Sequence, residues 1–441
     1  MQRKMNPAIS FSLLFKAWQA SAGLITIPIV VHTLGPVVQG YYYTFASLIA
    51  LQSFFELGFG IVISVYASHE WYKLRLDENG RIAGEPNACS RIVSLGRFVF
   101  FYFGVTALAY LLIISFAGFH ILNRNPEPMI SWPVPWFLHI AFSAVSLWLM
   151  PFLSLMEGCN QVASVAKFRL LQSLLSNAVL WIALQSGCEL WSIPLFSSVS
   201  VLFLAVYLGI TKREFFLSFR KPPASERISW RHDLLPMQWR LAIQGLFSYL
   251  TFPLYTLLAY SYFGPVEAGR MGMTLQVIGG IQSFSLVLIV ARAPELALLA
   301  ASGDHHSLIA NWKRASARSL GVMAGVFLFM IAAQFIASEM LLSGLSRILS
   351  AGVCTILAAG ALVAGVIQCV AVYLRAHKRE LLTFVGVTSG LLYGLSAWLL
   401  GLNFGSLGIA SSYLVVTALF VLPLTLYVLN SSRGVLRAAG S

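Results

Sequence analysis

Gln19-Ala20-Ser21-Ala22-Gly23-Leu24-Ile25-Thr26-Ile27-Pro28, with Gly35-Pro36-Val37 shortly after it, is the stretch that decides the fold, because it occurs twice. Gln244, Thr251 and Pro253 repeat the order and spacing of Gln19, Thr26 and Pro28, and Gly264-Pro265-Val266 repeats the Gly-Pro-Val turn. The echo continues, with Leu51-Gln52-Ser53-Phe54 answered by Ile281-Gln282-Ser283-Phe284. Apolar letters would match by chance in so biased a sequence; the amides, threonines and prolines carry the signal. Both copies lie in long apolar segments, so the chain reads as a duplicated helical membrane bundle. Between Pro28 and Gly35 the second copy gains four residues, about one helical turn, so one leading helix is slightly longer.

Composition supports the same class. Of 441 residues, 58% are hydrophobic and only 10% are charged, whereas about a quarter of the residues of a soluble domain are charged. Crossing roughly 30 Å of hydrocarbon takes about 20 apolar residues, and about twelve such runs can be placed, at approximately 9–33, 40–67, 96–120, 133–156, 166–186, 191–210, 239–263, 268–294, 316–338, 349–374, 382–402 and 406–429. None alternates with the period of a strand. The expected fold is an all-α membrane protein of about 12 transmembrane helices in two six-helix lobes, related by a pseudo-two-fold axis along the membrane normal. The lobes are expected at 1–210 and 239–441, with 211–238 as a cytoplasmic connection between them. The other sizeable inner loop, 68–95, is expected to be solvated.

The formal charge of +13 reads as topology. With a cytoplasmic N-terminus, nearly every Lys and Arg falls on the inner side, and the outer loops keep only Arg124, Arg270 and Arg347. That positive-inside pattern predicts an even number of spans with both termini cytoplasmic. A nucleic-acid role would need these bases on a folded soluble surface, and no segment outside the spans is long enough to make one. The five cysteines are scattered without a CxxC, so neither a disulfide framework nor a metal site is expected. The first apolar run is too long for a cleaved signal peptide and is followed directly by another span, so it is expected to remain as the first helix.

Polar residues inside spans are expensive and point to function. On the first helix Ser12, Lys16, Gln19, Gly23 and Thr26 follow steps of three and four and share a face; on the seventh, Arg240, Gln244, Ser248, Thr251 and Tyr255 do the same. A cavity is the simplest destination for both stripes. Lys16 and Arg240 lie at nearly matched depth in the repeat and could attract an anionic group, or could snorkel to the headgroups. Glu56, one turn after Gln52, is the only carboxylate placed well within a span; it could couple transport to a proton or cation, or neutralise a base such as Lys16. His139 reads as a hydrogen-bonded interface residue. Catalytic motifs are absent from the sequence: it has no Walker loop, no Gly-x-Ser-x-Gly and no HExxH, and its three aspartates, Asp77, Asp233 and Asp304, fall in loops. An enzyme and an ATP-driven pump are therefore disfavoured.

Ile27-Pro28, Leu34-Gly35-Pro36, Gly40-Tyr41-Tyr42 and Phe55-Glu56-Leu57-Gly58-Phe59-Gly60 resemble the opening of the O-antigen (Wzx-type) flippases of the multidrug/oligosaccharidyl-lipid/polysaccharide exporter superfamily. The resemblance in motif covers about the first seventy residues and their echo at 240–295, and Glu56 stands where that family often has Asp. It implies alternating-access transport of an undecaprenyl-diphosphate-linked oligosaccharide repeat unit from the inner to the outer leaflet of the bacterial cytoplasmic (inner) membrane. It implies no cofactor, contact with membrane lipid and with other polysaccharide-assembly membrane proteins, and no nucleic-acid partner. Lys16, Gln19, Thr26, Gln52, Arg240, Gln244, Ser248, Thr251 and Gln282 are the expected cavity residues, with Glu56 in a coupling or charge-pairing role. The alternatives are a cation-coupled drug exporter of the same superfamily, which should prefer an acidic cavity, and a glycan polymerase or ligase, which usually needs a large outer loop.

Overall fold

The computed structural model describes residues 7–220, 227–235, 238–239, 242, 249–339, 347–377 and 383–438, and it is nearly all helical. Seven helices, or eight with one bent pair, are by themselves long and apolar enough to cross a membrane among the described residues. Helices also occupy the described residues of the other expected spans, apart from the turn at 249–251, and the stretch 384–431 covers two of the expected spans. The chain turns between these at Gly405, whose φ of 63° and ψ of −146° leave the helical region. The architecture is the expected twelve-helix, two-lobe membrane fold.

The chain divides into two compact units. One comprises residues 1–34 and 45–246, the other residues 35–44 and 247–441.

The first unit opens with α1 (Pro7–Thr33); α2 (Pro36–Ile49) follows, its residues 36–44 belonging to the second unit and its end returning to the first, where it continues through a 3-10 turn and the short helix Ser53–Glu56. The span then breaks. Leu57 (φ 48°) and Gly58 (φ 67°) are both left-handed, and α3 (Phe59–Trp71) departs at 41°. The run 40–67, expected as one continuous helix, is therefore two pieces. After the break α3 packs closely on α5 (Pro133–Gly158): a Cβ on Gly60 would lie 3.0 Å from Ser154 Oγ, and one on Gly158 would lie 2.5 Å from Ser64 O. Helices α4 (Pro86–Leu122), α6 (Val162–Gln185) and α7 (Ser192–Val206) complete the unit, with α4 along α5 and α1 along α6.

The loop 68–95, expected to be a solvated loop with at most a short surface helix, holds a β-hairpin. Strands β1 (Leu74–Leu76) and β2 (Ile82–Gly84) pair antiparallel. Asp77 makes the turn, because its Oδ1 accepts the Asn79 and Arg81 N–H groups while Gly80 takes φ 80°. The hairpin docks on α8 (Arg213–Leu217): Arg81 forks onto Glu214 Oε2 through Nε at 2.9 Å and Nη2 at 2.8 Å, and Ile82 N donates to Ser218 Oγ at 3.0 Å. The opening of the 211–238 segment is thus folded onto the first unit. Outside the spans, the Lys73 ammonium donates a hydrogen bond to the Glu85 carboxylate 3.0 Å away, which holds its pKa above the usual range.

In the second unit α9 (Phe252–Phe263) leads through Gly264 (φ 84°) into α10 (Pro265–Val290). The short helix α11 (Ala293–Ala301) and the long helices α12 (His305–Glu339), α13 (Ala351–Ala376), α14 (Thr383–Val416) and α15 (Leu422–Ala438) follow. The residues 35–44 cross α10 with almost no gap. A Cβ on Gly40 would fall 1.9 Å from the Pro265 carbonyl oxygen, one on Gly269 would fall 2.9 Å from Gly40 N, and one on Gly272 would fall 2.4 Å from Tyr43 Cβ. Gly40 and Gly269 stand at the same place after their respective Gly-Pro-Val turns. A residue that abuts its own repeat-equivalent has the local geometry of a two-fold contact. Gln39, buried beside the crossing, donates to the Gly269 and Arg347 carbonyl oxygens at 2.9 and 3.1 Å.

Candidate functional site: a carboxylate at a broken span

The break after Glu56 places the best candidate for chemistry in the first unit. Glu56 ends the short helix Ser53–Glu56, and Leu57 and Gly58 turn the chain before α3 begins. A broken helix at membrane depth leaves backbone groups and one polar side chain facing the same spot, the arrangement by which many transporters build a site. The Glu56 side chain is exposed, and its Oε1 accepts a 2.6 Å hydrogen bond from Gln52 Nε2 one turn earlier. Its neighbour Phe55 packs edge-on against Tyr110 of α4, with ring centroids 5.2 Å apart, so the turn that carries Glu56 is anchored to the bundle. No ion pair to Glu56 occurs among the described residues. What the arrangement offers is an accessible carboxylate, held by an amide, on a hinge-like break.

The remaining expected site residues that the structure describes differ in exposure. Gln19 is exposed on α1. Thr26, expected on the same face, is buried: its Oγ1 donates to Ala22 O at 2.8 Å and accepts the Trp181 Nε1 proton at 2.9 Å. Both capacities of that hydroxyl are used in packing α1 against α6. Trp18 reinforces the contact, donating to Ser173 Oγ at 3.2 Å and packing against Trp181 with centroids 5.9 Å apart. Lys16 lies on α1, and its side chain is outside the described residues. Arg240, Gln244 and Ser248 are also outside them. Thr251 is half-buried at the start of α9, after a turn at residues 249–251. Tyr255, the end of that stripe, is fully buried. Gln282 is half-buried on α10.

Sequence reading missed the break itself. Its signal was present, since Gly58 and Gly60 punctuate an otherwise apolar run. His139 is buried, with its Nδ1 2.6 Å from Ser197 Oγ, in keeping with the expected hydrogen-bonded role. The described residues contain no group of three His, Cys, Asp or Glu side chains placed to hold a metal.

No protein-family profile matches the chain, and no curated protein matches it in sequence. Solved structures do match. The fold is similar to that of a multidrug resistance MATE family transporter of the MOP superfamily in an inward-facing conformation, with a TM-score of 0.65 at 12% identity over 98% of this chain and 100% of that one. This is the fold of MOP-superfamily transporters. The MOP-type fold is also that of the lipid II flippase MurJ, in an inward closed conformation, with a TM-score of 0.60 at 14% identity over 96% of this chain and 87% of that one. The eukaryotic MATE transporter AtDTX14 matches with a TM-score of 0.58 at 13% identity over 100% and 99% of the two chains. The three matched structures are two transporters and a flippase.

Proposed function

We propose that this protein is a flippase that moves an undecaprenyl-diphosphate-linked oligosaccharide repeat unit from the inner to the outer leaflet of a bacterial cytoplasmic membrane, by alternating access, for O-antigen or other surface-polysaccharide synthesis. The observation that carries this reading is the chemistry around the helix break. The carboxylate is accompanied by an amide, and α1 of the same unit carries Lys16 and the exposed Gln19. Amides and hydroxyls replace the hydration of sugar hydroxyls, and a cation meets the diphosphate. Arg240, Gln244, Ser248, Thr251 and Gln282 are the repeat-related counterparts assigned to the cargo path. Thr26 is left out of it, because its hydroxyl is spent on Trp181. An inside-negative potential favours outward movement of an anion by about 2.3 kcal/mol per charge per 100 mV, so no nucleotide is required.

The fold shared with the lipid II flippase MurJ supports the reading. The fold shared with MATE transporters equally supports a cation-coupled drug exporter, and that second reading is favoured by the exposure of Glu56 with only an amide as its described partner. Purified protein in liposomes separates the two: translocation of a lipid-linked oligosaccharide is expected, and efflux of a cationic dye is not. Lys16→Ala, Arg240→Ala and the double variant should each slow translocation at equal membrane abundance without preventing insertion, because an uncharged residue inserts more readily than a cation. Wild-type rates in all three would make these cations topology anchors and remove the diphosphate site.

The orientation has its own test. Cysteine labelling is expected to place positions near Gly80, Ser225 and Ser302 on the cytoplasmic side and positions near Asn125 and Gly264 outside. Labelling of Ser225 from outside would overturn the arrangement of termini and connection.

A further inference from the structure

At the base-rich end of the first unit, a cleft of about 620 Å³ opens between α4, α5, the end of α7 and α8. It belongs to neither the Glu56 break nor the proposed cargo path. Its walls are apolar, with Phe100, Phe152, Leu208, Phe216 and Phe219 among them. Its mouth lies among side chains that a spanning helix turns toward lipid: Phe101 is 69% exposed and Ile210, just beyond the cleft, is 72% exposed. Two arginines, Arg97 and Arg220, line it, and among the described residues no acidic one does. The neighbouring carboxylate, Glu214, is already bound by Arg81.

The cleft is built by identifiable devices. Gly96 lets α8 and the turn after it lie flat on α4, because a Cβ there would sit 2.3 Å from the Phe219 ring. Arg97 fixes that turn by donating from Nε to Phe219 O at 3.2 Å and from Nη2 to Arg220 O at 3.3 Å. A guanidinium has five N–H donors, so these bonds orient the Arg97 group and leave others for a ligand. The α7 helix ends in a π turn, Tyr207–Thr211, which carries Gly209 into the wall. Such turns often mark functional sites.

We propose that this cleft is a binding site for one anionic phospholipid, with an acyl chain in the apolar slot and the phosphate between Arg97 and Arg220. Charge complementarity selects the headgroup, since basic pockets between spanning helices favour acidic lipids by about fivefold in affinity per arginine. Size selects a single acyl chain. Sites of about 300–1,000 Å³ enclose one small ligand, and a polyprenyl tail is far longer than that. The position selects a membrane lipid over a soluble partner, because the mouth lies among lipid-facing side chains. The lipid would clamp α8 to the bundle and so hold down the first part of the 211–238 segment.

The test uses the full-length protein in detergent with phosphatidylglycerol or phosphatidylcholine added, and counts retained lipids by native mass spectrometry. Phosphatidylglycerol should be retained in preference, and Arg220→Gln, at an exposed position, should lower that preference about fivefold. Gly209→Leu should lose both lipids, because a Cβ at Gly209 meets nothing within 4 Å and the new side chain enters the slot. Thermal midpoints of both variants separate lipid loss from unfolding, and if Gly209→Leu unfolds, Arg220→Gln decides. Equal retention of the two lipids by the wild type, unchanged preference in Arg220→Gln, or displacement of phosphatidylglycerol by an equimolar polyprenyl phosphate would each overturn the assignment.

Discussion

Glu56→Lys is expected to abolish transport, and Glu56→Gln to retain an appreciable fraction of it, when both are compared at equal membrane abundance. Glu56 sits on an exposed turn at a break in a membrane span, with its Oε1 2.6 Å from Gln52 Nε2. In Glu56→Gln a carbonyl oxygen can still accept that amide proton, so the turn keeps its shape and loses only its charge. In Glu56→Lys the acceptor is gone, the sign of the charge at the break is reversed, and the Gln52 amide N–H faces a second donor. The new cation would also stand on the same unit as Lys16, adding like-charge repulsion to any site those residues share. The measurement is translocation of the lipid-linked oligosaccharide by each variant in liposomes. Complete loss in Glu56→Gln, with a wild-type thermal midpoint, would reassign the carboxylate to obligatory proton or cation coupling and strengthen the exporter reading.

Much of the fold was legible because its signals are local or periodic. Apolar runs of about twenty residues located the helices, and Gly264-Pro265 marked a sharp corner: Gly264 adopts φ 84° and Pro265 opens α10, where its missing N–H costs nothing. The hairpin at 74–84 was also within reach. Leu74, Leu76 and Ile82 alternate with polar residues around Asn79-Gly80, a pairing that favours tight hairpin turns. The abundance of charge in that loop drew the reading toward a solvated loop.

The candidate site was harder, for a physical reason. Steps of three and four place Gln19 and Thr26 on one helical face, but periodicity does not name the neighbour which that face meets. Thr26 meets Trp181, 155 residues away, and becomes packing. Gln19 stays exposed. The break after Glu56 is likewise decided by tertiary packing. Gly60 and Gly158 admit α3 against α5 at a separation no larger side chain allows, and the left-handed Leu57 and Gly58 redirect the chain to reach that contact. The lipid cleft was hidden by its own basic residues, which marked 211–238 as a connection and drew attention away from Phe215, Phe216 and Phe219.

Gly40→Val is expected to cost more than about 3 kcal/mol of stability, at the upper end of overpacking effects, and to give the largest structural defect of any single glycine replacement considered. A Cβ at Gly40 would lie 1.9 Å from the Pro265 carbonyl oxygen and 2.8 Å from Pro265 Cα. Both are backbone atoms, so no rotamer change relieves the overlap; the helices must separate. Separation has further consequences, because Gln39 would lose its bonds to Gly269 and Arg347, and Tyr43 would leave the notch over Gly272. Small residues at such crossings let backbones approach closely enough for dispersion to hold helices together where the surrounding lipid is equally apolar. Gly35→Ala is the matched control, since a Cβ there meets nothing within 4 Å and its φ is ordinary. Thermal midpoints in detergent should therefore fall sharply for Gly40→Val and scarcely move for Gly35→Ala. Equal midpoints for the two variants would mean that residues 35–44 do not cross α10 as closely as described, and that Gly40 and its repeat-equivalent Gly269 do not meet.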